Sequence, residues 1–179
     1  MEYLLKNGHK VTIRTPRVED AEAIIRIMTS ADSETRFLAR NPGEFSFTAE
    51  QERKVIESVL NDGDSAWFVA EYEGRLVGQC SVGLVRRRER YRHRADVAFV
   101  LLKDFWGLGI GGRMMEACLN WCREHEVLQV ELDVVAGNER ALAMYRSFGF
   151  EPVGTAPRAL RYPDGTFADE ILMIKYLDR

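Results

Sequence analysis

Residues 96–135 constrain the fold more than any other part of this chain. Residues 96–102 (DVAFVLL) hold a short apolar run suited to a strand, and Gly107, Gly109, Gly111 and Gly112 crowd the turn that follows. From Ile110 an apolar stripe recurs at Met114, Ala117, Cys118 and Trp121, one face of a helix. A second strand, 127–135 (VLQVELDVV), then alternates apolar residues at 128, 130, 132 and 134. A strand, a helix and a second strand in one sheet make a crossover, and the two strands must lie parallel.

The remaining segments supply neighbours for that pair. Residues 10–15 (KVTIRT) read as a first strand, and Thr15-Pro16 opens a helix with Ala21, Ile24, Ile25 and Met28 on one face. The stretch 29–47 reads as irregular. Thr48 with Gln51 forms a capping box for a second helix with an apolar face at Val55, Ile56, Val59 and Leu60. Strands at 66–72 and 76–84 join through Glu73-Gly74, a tight-hairpin signal. After the crossover, residues 138–150 (NERALAMYRSFGF) form a helix, followed by strands at 150–155 and 167–177. The expected order is β-α-α-β-β-β-α-β-α-β-β. Its hairpins demand antiparallel pairs, so the fold class is a mixed α/β sheet of about seven strands with helices on both faces. No linker or repeat interrupts it, and residues 1–179 read as a single domain.

Composition narrows the function. With 46% hydrophobic residues in 179, the chain can bury a real core, and a net charge of −3 gives no global field toward nucleic acid or an anionic membrane. No apolar run reaches transmembrane length, and the first ten residues lack a signal-peptide core. Three cysteines without a C-x-x-C pair suit a reducing cytoplasm. Cys118, Cys122 and His125 share a helical face but lack a fourth ligand, so they read as core and no metal is expected. Six arginines between 86 and 94 read as a solvated hairpin tip, at the opposite end of the 96–102 strand from the glycines.

Four glycines in six positions favour an anion site over a merely tight turn. Without Cβ they let backbone N–H groups approach closely, and the first turn of a helix has unsatisfied donors at the positive end of its dipole. Together these suit a pyrophosphate. The stretch 106–113 (WGLGIGGR) lacks the Lys-Ser/Thr of a P-loop, and it lies too far along the chain for a dinucleotide fingerprint.

WGLGIG (106–111) resembles the R/Q-x-x-G-x-G/A loop of the Gcn5-related N-acetyltransferases, with Trp106 in place of Arg or Gln. NERALAMYRSFGF resembles that superfamily's N-x-x-A-x-x-x-Y-x-x-x-G-F stretch, with Asn138, Ala141, Tyr145, Gly149 and Phe150 in place. Residues 164–173 (DGTFADEILM) resemble the ending of its ribosomal-protein-like branch.

The resemblance implies a splayed parallel pair at 96–102 and 127–135 with a V-shaped cleft for acetyl-CoA. It implies main-chain bonds from Phe99, Val100 and Leu101 to the pantetheine arm. Gly107, Leu108, Gly109, Ile110, Gly111 and Gly112 hold the pyrophosphate, with no side-chain contribution at Trp106. Asn138 bonds the arm or the start of its own helix, and Tyr145 protonates the leaving thiolate. Asp96 is either the base, acting through water, or a strand-end acid paired with an arginine of 86–94. Asp169 or Glu170 faces the acceptor. The implied reaction is direct attack by a primary amine of a small molecule, an amino-acid-like compound or a protein N-terminus. The entrance lies between 29–47 and 156–166. A homodimer is admitted, and a coenzyme A-binding sensor without turnover is the alternative.

Overall fold

The computed structural model describes residues 1–178. Its strands are β1 (Glu2–Leu4), β2 (Lys10–Arg14), β3 (Ser65–Tyr72), β4 (Arg75–Leu84), β5 (Arg94–Leu101), β6 (Gln129–Val135), β7 (Glu151–Arg161) and β8 (Phe167–Tyr176). Helices α1 (Ala21–Glu34), α2 (Ala49–Leu60), α3 (Ile110–Glu124) and α4 (Glu139–Ser147) connect them. The strands form one sheet in the order β1-β2-β3-β4-β5-β6-β8-β7. All neighbours are antiparallel except β5 and β6, the pair that the crossover requires.

Period-two alternation sorts side chains to the two faces of the sheet. Ala95, Val97, Phe99 and Leu101 of β5 join the core beneath α3 and α4, built around Met114, Cys118, Leu142 and Phe150. Val100 of β5, with Trp67 and Val69 of β3, joins a second core beneath α1 and α2, around Ile24, Ile27 and Ile56. The β3–β4 hairpin turns as expected: Glu73 at φ 49° and Gly74 at φ 76° both take the left-handed conformation that suits a two-residue connection. Thr48 and Gln51 form the expected reciprocal cap on α2.

Four details depart from the sequence reading. The sheet has eight strands, because β1 pairs with β2 through a turn at Leu5–His9. Residues 29–34 continue α1, so the irregular segment starts at Thr35. The inward face of α1 uses Ile27, and Leu60 of α2 is exposed. Pro157 lies inside β7, which runs to Arg161 because a bulge between Ala156 and Leu160 absorbs it, with Arg158 at φ 54°.

Candidate functional site

The site begins where two strands part. β5 and β6 pair only at Arg94–Asp96 against Gln129–Glu131, although β5 continues to Leu101 and β6 to Val135. Beyond that apex β5 stays bonded to β4, and β6 to β8. A V-shaped gap therefore opens between β5 and β6, with main-chain groups of Phe99, Val100 and Leu101 along one side.

On the α3/α4 face, the gap meets the glycine turn. Gly107 (φ 79°) and Gly109 (φ 91°) take left-handed conformations, and Gly109 is the residue that starts α3. No side chain caps that helix, and its first turn carries no acid. The N–H groups of this turn, near Leu108 and Ile110, therefore lack a capping side chain, the condition that suits an anion. The other two glycines also serve packing. A Cβ on Gly111 would come 3.0 Å from Met144 Sδ, and one on Gly112 3.6 Å from Phe148 Cζ. They let α4 pack closely on α3.

Trp106 has a structural part beside the turn. Its indole N–H donates to Leu101 O at 2.8 Å, fixing the end of β5, and the Arg140 guanidinium lies over its ring at 5.5 Å. Arg140 Nη1 would stand 3.4 Å from a Cβ on Gly107. A cation from the first turn of α4 therefore stands beside the anion turn, and the sequence reading missed it. The signal was its position two residues after Asn138, on the element that folds back over the turn. Asn138 itself takes the second of its two expected parts: its Oδ1 accepts from Ala141 N at 3.3 Å and starts α4.

Tyr145 is 8% exposed on α4, its ring centroid 6.2 Å from that of Phe99 and 6.0 Å from that of Phe150. It thus stands on the α3/α4 side of β5, beside the gap. Burial, aided by Cys118, pushes its phenol up to about 12, so it keeps its proton at neutral pH.

Asp96 occupies the opposite face, at the apex. Arg94 does not pair with it; its guanidinium makes two 2.7 Å bonds to Glu131. Arg87 and Arg92 of the arginine-rich tip pair with Asp62 and Asp64, away from the gap. The strand-end ion pair considered for Asp96 is therefore absent among the described residues. Desolvation raises the Asp96 carboxyl above the ordinary range, against a backbone hydrogen bond, and Glu131 and Asp133 add to the rise. The side chain still opens to a cavity of about 410 Å³. The floor of that cavity is one face of three strands, including Gln79, Ser81, Asp96 and Ala98, and Met28, Val55 and Val59 contribute to its lining from the helices.

A second cleft, of about 810 Å³, lies between the end of α1 with its following loop and the β7–β8 turn. The two hollows share Arg40. Arg40 is spent on buried Asp32 through bonds of 3.0 and 2.9 Å. Tyr162 donates to Arg36 O at 2.9 Å, while the Arg36 guanidinium lies 4.0 Å from the Tyr162 ring centroid. Neither Arg36 nor Arg161 has a carboxylate partner within ion-pair distance among the described residues. Of the two acids on β8, Asp169 accepts from Arg158 N at 2.8 Å and closes the β7 bulge. Glu170 lines the cleft instead, its carboxyl raised by burial and by Asp133.

The cysteine face holds no metal cluster among the described residues. Cys80, Cys118 and Cys122 are buried, and His125 stacks on Trp121 with centroids 4.0 Å apart.

The geometry thus has an anion turn and a buried phenol on one face, and a carboxyl with two hollows on the other, joined by a gap. Residues 26–150 match the model of the acetyltransferase (GNAT) family. The L-amino acid N-acetyltransferase AaaT of Escherichia coli is 32% identical over 113 residues, 60% of this chain and 66% of that one. The structure of a ribosomal-protein-alanine N-acetyltransferase from Brucella melitensis superposes with a TM-score of 0.81 at 29% identity, covering 93% of this chain and 99% of that one. That of yncA from Salmonella typhimurium with its cofactor acetyl-CoA gives 0.82 at 20% identity, over 94% and 95%. The chain belongs to the acetyltransferase (GNAT) family, enzymes that take their acetyl group from acetyl-CoA.

Proposed function

We propose that this protein is an acetyl-CoA-dependent N-acetyltransferase whose acceptor is the α-amine of a small amino-acid-like molecule. The observation that carries this reading is the gap that opens beyond Asp96 and Glu131, with a different chemical environment on each face of the sheet. Acetyl-CoA lies on the α3/α4 face, its pyrophosphate on the turn from Gly107 to Gly112. Its thioester reaches the gap beside Phe99, where a main-chain N–H of Phe99 or Val100 polarises the carbonyl.

The acceptor amine comes from the α1/α2 face. Asp96, through water, takes the proton that a neutral amine must lose; a raised carboxyl pKa makes it a better base. The amine nitrogen bonds to the carbonyl carbon, the carbon–sulfur bond breaks, and Tyr145 gives its proton to the departing sulfur.

The outer cleft favours a zwitterion. Arg36 and Arg161 suit a carboxylate, and Glu170 suits the ammonium on its way to Asp96. A polyamine would meet two guanidinium groups there. The test follows free-thiol release from acetyl-CoA with L-amino acids, spermidine and an N-terminal alanyl peptide. Turnover of amino acids with spermidine inert is expected. Turnover of the peptide alone would move the acceptor to protein N-termini, and turnover of spermidine alone would overturn the use of the arginines.

Asp96→Asn has two expected effects. The rate falls roughly 10²-fold or more at neutral pH and recovers in part at high pH, as the amine deprotonates without help. Stability moves the other way. A carboxyl whose folded pKa lies above its unfolded value costs stability once pH exceeds the unfolded range, and costs nothing when both states are protonated. The variant therefore melts higher than wild type at pH 7, and the gain vanishes as pH falls to about 4. A pH-independent rate with an unchanged melting profile would return Asp96 to a passive role.

A further inference from the structure

Gln79 lines the inner cavity and takes no part in the reaction. Gln79 of β4 is 8% exposed, and its Oε1 is the one buried side-chain N or O atom without a hydrogen-bond partner among the described residues. Its amide nitrogen lies against Met28 Sδ. A thioether accepts and cannot donate, which orients the amide with its oxygen left over. A buried carbonyl with nothing to accept is a standing penalty, relieved when a donor arrives. The last torsion of a glutamine is soft, so a small turn of the amide presents the oxygen to the hollow that Gln79 lines.

The position of that oxygen along the sheet gives it meaning. Gln79 pairs across the ladder with Val100, Ser81 with Ala98, and Gly83 with Asp96. The cavity floor thus runs from the base at the apex to Gln79, four residue pairs along β4–β5, about 13 Å of strand. Gly83 and Ala98 keep that path low. An acceptor whose amine lies near Asp96 and whose carboxylate faces the outer arginines directs its side chain along this floor. The surroundings along the way are Val55, Val59 and Val100, which suit an aliphatic stem.

We propose that Gln79 determines acceptor specificity: the inner cavity takes the acceptor's side chain, and Gln79 Oε1 accepts a hydrogen bond from a hydroxyl or amide at its tip. The proposal rests on the amino-acid-like acceptor argued above. It selects a side chain with an aliphatic stem and a polar hydrogen over an aliphatic one of the same shape. A site built around a hydrogen bond rejects the analogue that lacks it far better than an apolar pocket separates two hydrocarbons.

The test compares kcat/KM for two shape-matched pairs, L-threonine with L-valine and L-homoserine with L-norvaline, in wild type, Gln79→Leu and Gln79→Glu. Wild type is expected to prefer the hydroxylated member of at least one pair by about tenfold or more. Gln79→Leu removes that preference or reverses it. Gln79→Glu, which still carries an accepting oxygen, retains it. Calorimetric titration with acetyl-CoA, whose site lies on the other face, reports whether each variant is folded.

A wild-type ratio near one in both pairs overturns the proposal without recourse to any variant. So does a ratio that Gln79→Leu leaves unchanged. If amino acids are acetylated but the ratios ignore Gln79, only this assignment fails. If no amino acid is acetylated, the acceptor reading has failed, and the assignment with it.

Discussion

Tyr145→Phe should lower kcat by roughly 10²–10⁴-fold while leaving acetyl-CoA affinity nearly unchanged. The substitution deletes one oxygen and keeps the ring that packs between Phe99 and Phe150. Burial raises the phenol to about 12, so at neutral pH the group holds a proton that it can donate. Removing it leaves the sulfur to depart as a buried thiolate. The ground state loses little, because the proposed binding mode relies on main-chain groups of β5 and on the glycine turn. Single-turnover and steady-state rates beside a binding isotherm separate the two contributions. A fall in stability with kcat intact would make Tyr145 a core residue and nothing more.

The burial of Tyr145 was legible in the sequence because the helix read at 138–150 has a strict period, whereas its part as proton donor was implied only by the resemblance of that stretch to the family's. Tyr145 and Leu142 fall on its buried face whatever the detail of neighbouring elements. The same holds for the crossover: a strand, a glycine turn, a helix and a strand allow one parallel pair, and β5–β6 is that pair. Where the reading failed, the cause was an interaction between segments distant in the chain. That Gly111 and Gly112 also clear space for Met144 and Phe148 shows only once α4 is docked. Arg140 looks like an exposed helix residue until its guanidinium is found over Trp106. The choice between Asp169 and Glu170 depended on the strand phase of β8, set by the bulge at Arg158 that Asp169 closes. The short strand β1 escaped because it contributes only three residues and draws its stability from β2.

The division of labour among the glycines sharpens the second large effect. Gly109→Glu should abolish measurable acetyl-CoA binding at concentrations that saturate wild type. Two costs combine. Gly109 sits at φ 91°, where any side chain is strained by about 1–2 kcal/mol, and no heavy atom lies within 4 Å of its Cβ position, so the new side chain meets no protein atom there. The carboxylate then stands at the positive end of α3, where the pyrophosphate should be, and repels it. Gly109→Gln carries the same strain and bulk without the charge, and should retain weakened binding. Arg140→Ala gives the complementary result, roughly tenfold weaker binding that converges on wild type as salt rises, because an exposed guanidinium acts through a screened field. Gly111→Glu is no substitute for this test, since its side chain would collide with Met144 and disturb the α3–α4 packing whether or not an anion binds. Calorimetry on the three folded variants decides the matter. If the Glu and Gln variants bind equally well, charge at this turn is irrelevant, and the pyrophosphate must be held elsewhere along the gap.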